Sequence, residues 1–193
     1  MRPNMFHQSK IRILALLAAV SFAAGLLSTS ASAAVDAQKS SLTVTFKQMN
    51  VPVDAKFKKM NANVHFDPAN LGASKAQIDV DVASFDLGSA EYNHEVTGKD
   101  WFDAKGFPRA TFVSSSIKPG TNGTYSATGT LTIRGKTRIV VVPLQFHKDG
   151  AGQVFDGSLT FKRLDFGIGQ GEWSDTSIVA NDVTLKFHVV NKD

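Results

Sequence analysis

Four histidines lie beyond residue 33: His65, His94, His147 and His188. His94 has acids at helical spacing, with Glu91 three residues before it and Glu95 beside it. Such a group could hold a metal or move a proton. The same pattern also describes the wet face of a short helix. His65, His147 and His188 fall on the polar parity of alternating segments, so they are expected to face water. The sequence has no His-Glu-x-x-His and no Gly-x-Ser-x-Gly. It has no cysteine, which removes thiolate zinc sites, cysteine nucleophiles, disulfides and a lipidated-cysteine anchor. Gly129 to Thr137 comes near a phosphate-binding loop, but its spacing is one residue too long and it falls in a strand and hairpin. Gly167-Ile168-Gly169-Gln170-Gly171 follows a strand and opens no dinucleotide unit. Two basic clusters remain, Arg134, Lys136 and Arg138 on one hairpin and Lys56, Lys58 and Lys59 on another stretch. Either could meet an anionic head group such as a pyrophosphate through charge-assisted hydrogen bonds. Either could equally be charge placed on exposed turns.

The elements that would position these groups read as strands. Period-2 alternation marks eight segments: Leu42–Phe46, Ala62–Phe66, Ala76–Val82, a run from Phe112 to Ile117, Tyr125–Ile133, Val140–Phe146, Phe155–Phe161 and Val183–Val189. Turn chemistry separates them at Asp67-Pro68, Pro119-Gly120, Asn122-Gly123, Arg134-Gly135-Lys136 and Asp149-Gly150. Short turns between alternating strands imply antiparallel pairing, because parallel strands need long crossovers. The stretch from Gly88 to Phe102 breaks the rhythm and is expected to hold one or two short helices, with Val96, Trp101 and Phe102 inward. One apolar face on each strand suits a sandwich or a closed barrel. The 14 phenylalanines, against 2 tyrosines and 2 tryptophans, make that face greasy. Gly129 and Gly157 sit where a Cβ would crowd it.

The chain has 193 residues, 42% apolar and 20% charged, the composition of a globular protein. Arg2, Lys10 and Arg12 precede an uncharged run, Ile13 to Leu27, and Ala31-Ser32-Ala33 then supplies a small-x-small pattern. Residues 1–33 therefore read as a cleaved signal peptide, and residues 34–193 as one exported domain. The apolar run is shorter than the roughly 20 residues of a membrane span, so no stable membrane anchor is expected. Removing the three basic residues leaves 18 Lys and Arg against 17 Asp and Glu. The basic balance thus belongs mostly to the leader, and nucleic-acid binding loses its electrostatic basis. A periplasmic location is expected.

The order of segments resembles the YceI-like family. The carriers of that resemblance are Ser84-Phe85-Asp86, Asp100-Trp101-Phe102-Asp103, Phe107-Pro108, Thr111-Phe112 and Ser116-Ile117. Gly129-Thr130-Leu131-Thr132-Ile133-Arg134-Gly135, Arg163-Leu164-Asp165-Phe166-Gly167-Ile168-Gly169 and Asp182-Val183-Thr184-Leu185 continue it. Met49 to Lys59 departs from the family's usual His and small-Gly pattern. The resemblance implies an all-β fold, a lipocalin-like extended eight-stranded antiparallel barrel, in a periplasmic protein that binds a polyisoprenoid or other long amphiphilic lipid. It implies no catalytic residue, no metal and no cofactor. On strand parity, the expected lining is Phe46, Phe57, Phe66, Ile78, Val80, Phe112, Leu131, Val142, Phe146, Phe161 and Phe187, with Trp101 and Phe102 shaping the mouth. Arg134, Lys136 and Arg138 are the candidates for a head group. The rival readings are a ligand-free envelope or stress-related module, and an enzyme using His94 and Glu95 or Asp100 and Asp103. A homodimer remains open.

Overall fold

The computed structural model describes residues 33–150 and 152–192. The leader read at residues 1–33 lies outside them but for its last residue. The strands are β1 (Ala33–Ala34), β2 (Ser41–Gln48), β3 (Val51–Phe57), β4 (Met60–His65), β5 (Lys75–Asp81) and β6 (Phe85–Asp86), then β7 (Arg109–Pro119), β8 (Thr124–Ile133), β9 (Lys136–Asp149), β10 (Gly152–Lys162) and β11 (Asp182–Asn191). One α-helix, α1 (Ala90–Thr97), interrupts them where the alternation fails. Three 3-10 turns, Val82–Ser84, Arg163–Phe166 and Gly171–Ser174, complete the described elements.

All strands join one sheet in the order β1-β4-β5-β7-β8-β9-β10-β11-β2-β3-β6, and every pairing is antiparallel. The sheet curls into a lipocalin-like barrel. Val35 bridges Asn191 while β1 pairs with β4, so the start of the domain ties β4 to β11. The Asn191 amide donates to the Val64 carbonyl at 3.0 Å across the same junction.

The eight strands expected from alternation are present, and β3 joins them as a further long strand. It alternates Val51, Val53, Ala55 and Phe57, but Pro52 within it reads against a strand. The structure tolerates Pro52 because β3 lies near the sheet edge, paired with β2 over its whole length and with β6 only at Lys56 and Phe57. The β2–β3 turn has no glycine either: Met49 (φ 50°) and Asn50 (φ 65°) both take the left-handed region. Where β7 bulges between Ser114 and Ser116, the Ser114 hydroxyl accepts from the Ala76 N–H at 2.8 Å.

Inside the curl, buried side chains form two clusters. One gathers Leu42, Val44, Val80, Val82, Phe85, Trp101, Ile133, Phe166, Ile168 and Val179 toward α1 and the 3-10 turns. The other gathers Val64, Phe66, Ile117, Ala127, Val142, Phe155 and Val189 toward the opposite end. Met60, Ile78, Phe112, Val140, Leu159 and Phe187 pack against both.

Candidate ligand-binding lumen

A cavity of about 180 Å³ runs between the clusters. That is an order of magnitude more than the roughly 10–15 Å³ that one water-sized sphere needs on the same measure. Its wall is apolar except for Thr111 and Arg163. The long strands contribute through their inward parity: Leu42, Val44 and Phe46 from β2, for example, and Phe155, Leu159 and Phe161 from β10.

Phe46, Phe57, Phe66, Ile78, Val80, Trp101, Phe102, Phe112, Leu131, Val142, Phe161 and Phe187 all lie on this wall. Phe146 stands behind it, 4.7 Å from the Phe66 ring and 5.4 Å from the Phe155 ring, centroid to centroid. Parity alone could have added Val44, Val64, Ala127, Val183 and Val189, which also face the cavity.

Phenylalanines fit flat against the wall because two positions lack a Cβ. A Cβ on Gly157 would stand 2.6 Å from the Pro143 carbonyl oxygen and 2.8 Å from Cε1 of Phe187. One on Gly129 would stand 2.6 Å from Cζ of Phe112. Ordinary contact begins near 3.4 Å, so these glycines are spaces the rings already fill.

Arg163 is the one charge on the wall, and it is 1% exposed. It has no carboxylate partner among the described residues. Its Nε donates to Ala180 O at 3.1 Å, Nη1 to Ile168 O and Gly169 O, and Nη2 to Trp173 O at 2.6 Å and Val179 O at 2.7 Å. Burial pulls its pKa below the usual guanidinium value. The five carbonyls satisfy the fork and keep the group protonated. Nothing in the sequence marks this role, since a lone arginine after a strand reads as surface charge. Trp101 lies beneath it, and the Trp101 Nε1 is buried with no hydrogen-bond partner.

The basic hairpin does related work at the same end. Arg134 donates to Gly167 O and, at 2.9 Å, to Lys99 O. Arg138 donates to Thr137 O and, at 3.1 Å, to Asp165 O, and lies 6.0 Å from the centroid of the Phe166 ring. Both arginines thus clamp the connection between β10 and β11. Lys136 is exposed beside Gly167. Glu91, His94 and Glu95 are exposed on α1. His147 and His188 point outward toward Asp156, at 4.0 Å and 2.7 Å, and His65 is exposed on β4. Among the described residues, no helix is long and apolar enough to cross a membrane.

Known proteins with this sequence pattern and shape agree with one another. A crystal structure of BcnA from Burkholderia cenocepacia superposes with a TM-score of 0.79 at 54% sequence identity, covering 81% of this chain and 98% of that one. A polyisoprenoid binding domain from Saccharophagus degradans implicated in plant cell wall breakdown shares the fold, with a TM-score of 0.65 at 14% identity over 83% of this chain and 98% of that one. A UPF0312 protein of Pseudomonas syringae is 33% identical over 145 residues, 70% of this chain and 72% of its own. A UPF0312 protein of Vibrio cholerae is 30% identical over 145 residues, 69% of this chain and 76% of its own. The YceI-like domain pattern matches residues 34–191, almost the whole of the described chain, and the protein therefore belongs to the YceI-like domain family.

Proposed function

We propose that the lumen holds the apolar tail of one amphiphilic lipid, such as an isoprenoid, and that the protein is an exported periplasmic carrier or sequestering protein rather than an enzyme. The observation that carries this reading is the cavity itself: apolar on nearly every side, with its single charge fully occupied by backbone carbonyls. Such a wall offers nothing to a polar guest and favours a greasy one. Each buried methylene contributes about 0.8 kcal/mol. Ten of them would give about 8 kcal/mol, within the range of about 4–15 kcal/mol that association costs. The Saccharophagus domain of the same fold, described as polyisoprenoid binding, supports the choice of tail. Export is supported by the leader pattern and by the family match beginning at residue 34, next to the expected cleavage position.

The test is a titration with parinaric acid, a fluorescent polyene fatty acid, against the unaltered protein and Ala127→Trp. Ala127 is 3% exposed and lies on the cavity wall. The expected result is saturable uptake of one probe per chain, lost in the variant while its β-type circular dichroism persists. Equal uptake by both proteins would contradict this reading of the lumen.

A further inference from the structure

Packed side chains crowd both ends of the cavity. At one end, the rings of Phe66, Tyr125, Phe146 and Phe155 pack edge to face or tilted at centroid distances of 4.7–6.4 Å. At the other, Trp101, Phe166, Ile168 and Val179 are buried beneath the β10–β11 connection that Arg163 holds down. A guest that enters by either end has to displace these side chains.

The sheet's own seam supplies another route. β4 pairs with β1 only at Asn63 and Val64, and β3 pairs with β6 only at Lys56 and Phe57. The seam is pinned at one end by Asn191 on Val64. It is pinned at the other by Ser84, whose carbonyl accepts from the Lys58 N–H and whose hydroxyl accepts from the Lys59 N–H. Between the pins lies a cleft of about 520 Å³, walled by the start of β2, the β3–β4 corner and the facing ends of β5 and β7. Leu42, Phe57 and Met60 line both this cleft and the lumen. Phe57 and Met60 are half-buried, and the unbranched Met60 side chain can re-pack at little cost.

The cleft's rim is charged with both signs. Lys58 lines the cleft but bonds Asp86, which does not, at 2.8 Å. Lys59 is 3.9 Å from Asp81, a solvent-screened and therefore weak pair. Arg109 is exposed beside it, and Asp79 accepts from Gln77. Such a rim keeps a polar head in water while the apolar floor beneath it leads inward.

We propose that this cleft is a lateral portal, through which the tail of an amphiphile slides past Phe57 and Met60 while its oxygen-bearing head stays at the rim near Lys59 and Arg109. The proposal rests on the lumen reading above, and its test separates the two. Asn61→Trp and Ser41→Trp each narrow the cleft from an exposed position that does not line the lumen. Stopped-flow mixing with parinaric acid should show both association and dissociation slowed roughly ten-fold in each variant. The equilibrium affinity should stay within about two-fold, because a blocked doorway changes rates and not the bound state. Tyr125→Ala, which loosens the aromatic end, should leave the rates unchanged. Normal rates in both tryptophan variants, or faster uptake in Tyr125→Ala, would overturn the portal and leave lipid binding intact. No uptake by the unaltered protein would overturn the lumen reading, and the portal with it.

Discussion

The guanidinium of Arg163 lies 5.7 Å from the centroid of the Trp101 ring, and the two side chains close one end of the barrel together. The arginine satisfies five carbonyls from the β10–β11 connection, and the indole forms the wall of the cavity beneath. The Trp173 ring packs tilted against Trp101, centroids 5.3 Å apart. Arg163→Leu would strand those carbonyls in a buried site, each costing about 1–3 kcal/mol where no water replaces the donor. A loss of about 3 kcal/mol or more is expected in urea unfolding. Arg163→Lys should recover only part of it, since an ammonium cannot span five acceptors.

Asp86 gives the fold an acid-sensitive joint. Its carboxylate is held well below the usual range by Lys58 first, then by the Asn93 amide at 3.0 Å and the Gly88 N–H at 3.0 Å. A depressed folded-state pKa gives stability that is complete above the unfolded value near 4 and is lost as pH falls below it. Asp86→Asn should lower stability at neutral pH and flatten the decline between about pH 4 and pH 2. Denaturant midpoints measured across that range check the sign.

Gly157→Ala should destabilise by about 1–3 kcal/mol, the usual cost of overpacking. The added methyl would meet the Pro143 carbonyl, which cannot move aside cheaply, and the Phe187 ring, which lines the lumen. Reduced parinaric acid capacity should accompany the lower melting temperature. An unchanged melting temperature would contradict the packing of Phe187 on Gly157.

Much of this was legible in the residues. Alternation located the wall, because a strand's inward side chains share parity whatever their partners are, and Phe46, Ile78, Leu131 and Phe187 needed no more than that. Phe146 shares the parity of Val142 but sits far enough along β9 to back the aromatic end rather than face the void. β3 was hidden by Pro52, and its edge position explains why the proline is tolerated. The carbonyl-holding role of Arg163, Arg134 and Arg138 was hidden for another reason, although the last two stood out as a basic cluster: a cation bound to backbone carbonyls leaves no complementary acid in the sequence to announce it. The seam was illegible too, since it depends on where two strands far apart in the pairing order meet.

Native mass spectrometry of the protein, gently purified from cells that export it, tests the central claim most directly. A lumen that carries a lipid predicts a species heavier than the polypeptide by one apolar molecule, absent from Ala127→Trp prepared in the same way. A bare polypeptide mass in repeated preparations, with no uptake of added lipid, would contradict it.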